Sequence, residues 1–268
     1  MTPIVINACT GRMGQELLKV AINDNQVEIV GAMAREQHKK LGTDIGYLVG
    51  MEPQGAFVGD DLSVTLNERK VLIDFSLPDH SIETLAHAVS ANSPVVIGTT
   101  GFSDEQKGKI SEAAESIPIV FAANYSLGVN SLLGLVKQAT KLLGDKADIE
   151  IFEAHHKYKK DSPSGTALAL GEAVADTQGH DLNEVAEWAR HGVGERESGA
   201  IGFSVMRAGD IVGTHEVVFA LNGELVTLRH EAQTRECFAQ GAIEAAKWLL
   251  GKPAGMYDMQ DVLGLKNS

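Results

Sequence analysis

The chain opens on an apolar run, Pro3-Ile4-Val5-Ile6-Asn7, then passes through a glycine-bearing turn into an amphipathic stretch from Met13 to about Asn23. This reads as strand, turn, helix. Four more short apolar runs follow at 27–33, 71–75, 95–98 and 119–122, with helix-period segments at about 80–91 and 104–115 between them. Ser103-Asp104-Glu105-Gln106 opens the second of these helices with a capping box, in which the Ser hydroxyl and the Gln side chain satisfy free backbone N–H groups reciprocally. Val/Ile runs without polar alternation suit strands covered on both faces, so the first half predicts a doubly wound parallel sheet. Residues 36–70 are Gly-rich and weakly periodic, with one short strand expected near Phe57. The second half changes character after a helical stretch at 129–143. A strand at 149–154 leads into a polar segment, a helix opens at Ser162-Pro163-Ser164-Gly165-Thr166 and runs to about Asp176, and strands are expected at 201–207, 214–221 and 224–230. Asn222-Gly223 between the last two favours a type I′ hairpin. Hairpin-linked strands imply an α+β domain on a mixed sheet. A final helix spans about 238–250, and the pattern leaves its packing partner open.

Composition narrows the class. Of 268 residues, 44% are hydrophobic and 22% charged, which suits a folded chain of one large or two ordinary domains. Lys+Arg number 23 against 36 Asp+Glu, a formal charge of −13 that would repel a nucleic acid unless basic residues shared one face. A small anionic ligand remains open, because a basic pocket fits inside an acidic shell. Cys9 and Cys237 lie far apart and form no disulfide framework or Cys-x-x-Cys site, so a reducing cytoplasm is expected. No stretch approaches the ~18 apolar residues of a membrane span, and no basic leader precedes Ile4, so neither insertion nor secretion is expected.

The first strand runs into Ala8-Cys9-Thr10-Gly11-Arg12-Met13-Gly14, where a dinucleotide-binding unit places its glycine turn. Small residues there let backbone approach a pyrophosphate, and the following helix aims free N–H groups and a positive dipole end at the anion. Ala8 holds the place of the first glycine of G-x-x-G-x-x-G, and an ordinary Gly-rich strand-to-helix turn fits these residues as well. After the second strand, Gly31-Ala32-Met33-Ala34-Arg35 lacks the acidic residue that accepts hydrogen bonds from an adenosine ribose. Arg35, with His38, Lys39 and Lys40 behind it, matches a 2′-phosphate, although a solvated basic loop fits equally. The pattern leans toward NADPH or toward tolerance of both cofactors. Gly98-Thr99-Thr100-Gly101 and Ala122-Ala123-Asn124-Tyr125-Ser126 follow the fourth and fifth strands, and their small and hydroxylated residues suit a flat nicotinamide ring near backbone.

The densest chemistry lies at His155-His156-Lys157-Tyr158-Lys159-Lys160-Asp161 and the helix opening after it, with two imidazoles and three lysines within twelve residues. Adjacent imidazoles in an extended segment point opposite ways and make poor joint metal ligands, so no metal is expected. Lys159 lies four residues beyond His155, and the helix end near Ser164, Gly165 and Thr166 offers unpaired donors to a carboxylate. An anion-binding proton donor is what such a group would make, with Lys157 and Lys160 equally at home as solvated charges. His191, His215 and His230 are scattered and are expected to be structural; Asp210 with Glu216, and Glu195 with Glu197, show no acid/base logic. Two rivals remain. A semialdehyde dehydrogenase or another two-domain NAD(P)-dependent reductase of that kind needs a nucleophilic Cys with a base, and a non-enzymatic NAD(P)-binding sensor would have no use for the His/Lys cluster.

Gly11-Arg12-Met13-Gly14, Gly98-Thr99-Thr100-Gly101-Phe102, Phe121-Ala122-Ala123-Asn124-Tyr125-Ser126 and above all Glu153-Ala154-His155-His156-Lys157-Tyr158-Lys159-Lys160-Asp161-Ser162-Pro163-Ser164-Gly165-Thr166-Ala167 resemble the dihydrodipicolinate reductase (4-hydroxy-tetrahydrodipicolinate reductase) family over essentially the full chain. The resemblance implies reduction of a cyclic dicarboxylate by NADH or NADPH in the diaminopimelate route to lysine, in the cytoplasm. It implies a Rossmann-like dinucleotide-binding domain of residues 1–126 plus 237–268, and a substrate-binding and oligomerisation domain of 127–236. A homotetramer and hinge closure between the domains are implied as well. Mapped onto this chain, His155 is the proton donor and Lys159 its partner. His156, Lys159, Gly165 and Thr166 hold the substrate carboxylates, while Ala8, Cys9, Thr10, Gly11, Arg12, Met13, Ala34, Arg35, Gly98, Thr99, Thr100, Ala122, Ala123, Asn124 and Tyr125 bind the cofactor. Ala34 stands where many members carry an acidic ribose reader, although Arg35 remains, which weighs against a strict NADH preference.

Overall fold

In the computed structural model, which describes residues 1–266, the chain runs β1 (Thr2–Asn7), α1 (Arg12–Asn23), β2 (Val27–Met33), α2 (Ile45–Leu48), β3 (Val58–Gly59), β4 (Val71–Asp74), α3 (Pro78–Ser90), β5 (Val95–Ile97), α4 (Asp104–Ala114) and β6 (Pro118–Phe121). It continues through α5 (Leu127–Leu143), β7 (Asp148–His155), α6 (Gly165–Gln178), α7 (Leu182–Val185), β8 (Ala186–Glu187), β9 (Ile201–Arg207), β10 (Gly213–Leu221), β11 (Glu224–Ala232), α8 (Glu236–Leu249), β12 (Gly255–Tyr257) and α9 (Met259–Val262). The chain divides into two compact units, Met1–Leu127 with the described residues from Glu236 onward, and Gly128–Arg235. Residues 267 and 268 of the C-terminal segment expected in the first domain lie outside the described residues.

In the first unit, seven strands among the described residues form one sheet in the order β12-β6-β5-β4-β1-β2-β3, every neighbouring pair parallel. The strand alternation sorts its apolar residues onto two faces. Ile4, Ile6, Ile73 and Val96 pack with Leu17 and Leu18 of α1 and with Ala242, Ala245 and Ala246 of α8. Val5, Leu72 and Ile97 pack with Leu85 of α3 and Ile110 of α4. Each fully buried aliphatic side chain contributes roughly 1.5–3 kcal/mol, so both faces must be covered and polar alternation is absent. The final helix thus joins α1 on one face, the small residues of α8 allowing close approach. The capping box at Ser103 and Gln106 forms as expected. Residues 36–70 resolve into the short α2 and the two-residue β3, organised by the Asp44 carboxylate, which accepts from the N–H groups of Gly46, Gln54 and Gly55. A loop held by such irregular side-chain and backbone bonds leaves little periodic pattern to read.

The second unit is built on a five-stranded sheet among the described residues, ordered β11-β10-β7-β9-β8. Its central strand β7 pairs antiparallel with β10 and parallel with β9, a mixed sheet. Ile149, Ile151, Val217 and Phe219 face Leu132 and Val136 of α5 and Leu170 and Val174 of α6. The β10–β11 hairpin closes with Leu221 opposite Glu224, but its turn is not type I′: Gly223 alone has positive φ, at 89°, and Asn222 does not. The left-handed demand falls on the one residue without a Cβ to clash.

Candidate active site

In the first unit the loops after β1, β2, β5 and β6 all leave the carboxyl edge of the parallel sheet, the edge at which such folds bind ligands. The turn after β1 is tight. Ala8 takes φ +50°, the Gly11 N–H donates to the Ala8 carbonyl at 2.9 Å, and the Cys9 N–H donates to the Met33 carbonyl at 2.9 Å. A non-glycine residue therefore holds the left-handed position expected of the first motif glycine, at a cost of roughly 1–2 kcal/mol. Gly14 cannot be replaced so easily, because a Cβ there would fall against the Ala8 carbonyl and 2.6 Å from Cys9 Cα. Gly11 is the N-cap of α1 and supplies no side chain to the first turn, so the N–H groups at that helix end are available to an anion. Beside this turn a cavity of about 720 Å³ is lined by Asn7, Met33, Ala34, Arg35, His80 and Thr84 among others, within the range of small-ligand pockets. The uncapped helix end, the cradle a Cβ would fill and the cavity at Arg35 fit a dinucleotide.

The other expected cofactor residues divide by exposure. Thr10, Arg12, Met13, Gly98, Thr100, Ala122, Ala123 and Asn124 are at least partly accessible. Thr99 is buried with its hydroxyl 3.4 Å from the Asp74 carboxylate, and Ala34 is buried with its N–H bonded to the Gly59 carbonyl. Tyr125 is buried, its ring turned into the core against Phe75 and its hydroxyl 2.9 Å from the carbonyls of both Ile97 and Val120. Cys9 is likewise buried, and desolvation pushes its thiol to about 12. Burial also pushes the Cys237 thiol up. Neither cysteine is an activated nucleophile, which removes the semialdehyde dehydrogenase reading.

In the second unit the site grows from the central strand. Glu153 and His155 lie two residues apart on β7 and so share the face of Ile149 and Ile151. Pairing sets His215 of β10 opposite Glu153, and Arg207 of β9 opposite His155. Glu153, 1% exposed, makes four contacts with three residues. Its Oε2 lies 2.6 Å from His155 Nδ1 and accepts from Arg207 Nη1 at 2.7 Å; its Oε1 accepts from Arg207 Nη2 at 2.7 Å and from the Ser164 N–H at 2.9 Å. Burial pushes the Glu153 carboxyl up, but Arg207, His155 and the Ser164 N–H outweigh it and hold the group below the usual range. An ionised carboxylate only accepts, so the proton of a neutral His155 sits on Nδ1, and Nε2 is the nitrogen that gains and gives a proton. Desolvation depresses the His155 pKa; Glu153 raises it, while the charges of Lys159 and Arg207 lower it. Gly213 leaves room at Nε2, since a Cβ there would lie 3.1 Å from it. His215 packs edge-on to His155, ring centroids 5.0 Å apart, and its Nε2 lies 3.2 Å from Ser164 Oγ. Desolvation, then the charges of His155 and other neighbours, bring His215 down to about 3, so it stays neutral beside the proton carrier.

The strand run thus extends one residue beyond expectation: His155 ends β7 and is not the start of the polar segment. His156 turns away from it, toward Tyr158, with ring centroids 6.4 Å apart and a buried Nδ1 that has no protein partner. Lys159 pairs with Asp161 at 2.9 Å and reaches His155 only through its field. Gly165 and Thr166 are the first two residues of α6, whose N-cap Ser164 accepts from the Ala167 N–H. Of the two lysines expected to be solvated, Lys157 sits 5.2 Å from the Tyr158 ring centre and both are exposed. Sequence reasoning missed Glu153, Arg207 and His215 as members of the cluster, and named Ser164 only as part of the helix end that offers donors to a carboxylate. The period-two spacing of Glu153 and His155 was the available signal; Arg207 and His215 carried none, because only strand pairing brings them near. Among the described residues no group of side chains has the makings of a metal site.

Models of the dihydrodipicolinate reductase N-terminus and C-terminus match residues 2–125 and 128–263. A protein of Hahella chejuensis named 4-hydroxy-tetrahydrodipicolinate reductase is 47% identical over 267 residues, covering 99% of this chain and 100% of the relative. Another of that name, from Pseudoalteromonas atlantica, is 47% identical over 266 residues with the same coverage. Among solved structures, dipicolinate-bound dihydrodipicolinate reductase from Paenisporosarcina sp. TG-14 shares the fold with a TM-score of 0.77 at 22% identity, over 97% of this chain and 98% of that one. On these matches to both halves and along its whole length, the chain belongs to the dihydrodipicolinate reductase family.

Proposed function

We propose that the chain reduces 4-hydroxy-tetrahydrodipicolinate, or its dehydrated ring dihydrodipicolinate, to tetrahydrodipicolinate in the diaminopimelate route to lysine. The observation that carries this reading is the buried Glu153–His155–Arg207 cluster adjoining Lys159 and the start of α6. Residues 1–126 with the C-terminal segment are the dinucleotide-binding domain, and 127–236 the substrate-binding and oligomerisation domain. A cytoplasmic homotetramer is what the motif resemblance implies. No helix among the described residues is long and apolar enough to cross a membrane.

NADH or NADPH, when bound, supplies the hydride. The first turn of α1 and the backbone of 8–13 hold the pyrophosphate, Arg35 takes a 2′-phosphate where one is present, and 98–100 with 122–125 seat the nicotinamide end. His156, Lys159, Gly165 and Thr166 hold the two substrate carboxylates. The substrate then changes the acid. In the free protein desolvation, helped by the Lys159 and Arg207 charges, keeps His155 neutral; a doubly negative substrate brought beside the cluster adds negative charge to that already paired with Lys159 and favours a proton at Nε2. Glu153 fixes the ring through Nδ1 and stabilises the imidazolium, so Nε2 delivers the proton to carbon as the ring is reduced. Lys159 thus acts as partner to the acid as well as anchor.

The test is loss of reduced-nicotinamide absorbance with freshly generated cyclic dicarboxylate, both cofactors side by side. Dicarboxylate-dependent oxidation is expected with NADPH and at most a modest preference over NADH. Absence of any dicarboxylate-dependent oxidation would sink the reading and leave a nucleotide-binding sensor.

A further inference from the structure

Asp161 has no part in the mechanism above, yet its carboxylate contacts a group assigned to the substrate. Its Oδ2 lies 2.9 Å from Lys159 Nζ. Its carbonyl accepts from Arg207 Nη2 at 2.6 Å, which fixes the backbone, while the side chain is 56% exposed and has open solvent to swing into. We propose that Asp161 is a specificity-determining residue, an internal carboxylate that occupies the Lys159 ammonium until a carboxylate of the substrate displaces it. This rests on the assignment of Lys159 to the substrate.

The exchange is physically balanced. One carboxylate replaces another on the same donor, and the displaced one regains hydration because it was never deeply buried. A half-exposed ion pair is worth little, no more than about fivefold in affinity, so it yields to a ligand that brings further contacts. Partial desolvation pushes the Asp161 carboxyl up, but Lys159 prevails and keeps it ionised at neutral pH. A ring without a carboxylate offers Lys159 nothing to exchange for Asp161, and so the residue screens ligands by charge. Once displaced, Asp161 also remains near a doubly negative ligand and opposes it, which holds affinity down.

Calorimetric titration of the full chain with pyridine-2,6-dicarboxylate tests this, using the wild type, Asp161→Asn and Asp161→Ser, with far-UV circular dichroism to follow folding. Both substitutions leave the carbonyl that Arg207 holds. The expected result is binding tightened about two- to fivefold in each variant. The gain should vanish in a Lys159→Ala background, where no donor is left to compete for. Unchanged or weaker binding in the folded variants would overturn the proposal, weaker binding meaning that Asp161 positions Lys159 instead. Failure of the wild type itself to bind would instead count against the functional reading on which it rests.

Discussion

In the reading proposed above, the loop after β1 and the end of β7 both serve an anionic ligand, with different materials. At the first, the working groups are backbone: the uncapped start of α1, a turn through Ala8 at φ +50°, and Gly14, where a single extra carbon would meet the turn. At the second they are ionisable side chains on paired strands, with Glu153 buried between His155, Arg207 and the Ser164 N–H. A backbone cradle has a fixed charge state and is broken by volume. A side-chain cluster has a charge that responds to its ligand, and is broken by removing one charge. The two regions should therefore fail in different ways.

The largest expected effect is at the proton carrier. His155→Ala should lower turnover roughly 10²- to 10⁴-fold, the scale of general-acid catalysis, with nucleotide affinity little changed. Turnover within a few-fold of the wild type would remove His155 from its role, and a parallel loss of nucleotide binding would mean that the two regions are not separable. Next is Glu153→Gln, which keeps the shape and leaves the Arg207 guanidinium without its buried counter-charge. Breaking one side of such a pair costs about 3–5 kcal/mol, to be read as a drop in the urea-unfolding free energy. A loss below about 1 kcal/mol would mean that water relieves Arg207 and that the cluster is not the rigid support described.

Gly14→Ala probes the other material. The added Cβ would meet Ala8 and Cys9 backbone, and forcing the turn apart costs about 1–3 kcal/mol, which should fall on NADPH affinity in a fluorescence titration. Dicarboxylate binding should match the wild type. If it weakens in step, the contrast between the two regions is lost.

What the sequence made legible follows the same division. The turn at 8–14, the strand runs and the capped helix at Ser103 are local, and each is announced by residues adjacent in the chain. His155, Lys159 and the opening of α6 fall within one segment and were readable together. Arg207 and His215 were not, because they approach Glu153 only through the pairing of β9 and β10 with β7. Local propensity also misled at Asn222-Gly223, where the hairpin needs one left-handed residue and not two. Tyr125 was read as a ligand-side residue because its loop lies at the sheet edge, yet its bulk is used to pin β5 to β6.

The smallest expected effect concerns His215, which sequence reasoning left as structural. It faces His155 and Glu153 from β7, His230 from β11 and the Lys159 charge, and in the folded protein it titrates near about 3 against an ordinary 6.5. With a depressed folded value, the unfolded chain binds the extra proton, so the contribution to stability is full above pH 6.5 and declines as pH falls toward 3. The slope is at most about 1.4 kcal/mol per pH unit for one such group. His155 adds to it with the same sign, its own value being lowered by desolvation. Glu153 contributes fully above the ordinary carboxylate value of 4.5 and loses that contribution as pH falls from there through its depressed folded value, below the measured window. Unfolding free energies of the wild type and His215→Asn, measured between about pH 6.5 and 5, separate these contributions. The wild type should lose stability on acidification across this window, and the variant should lose about one proton's worth less. Equal slopes would mean that His215 is protonated in the folded state, placing a second positive charge beside His155 and undoing the assignment of a single responsive group in the cluster.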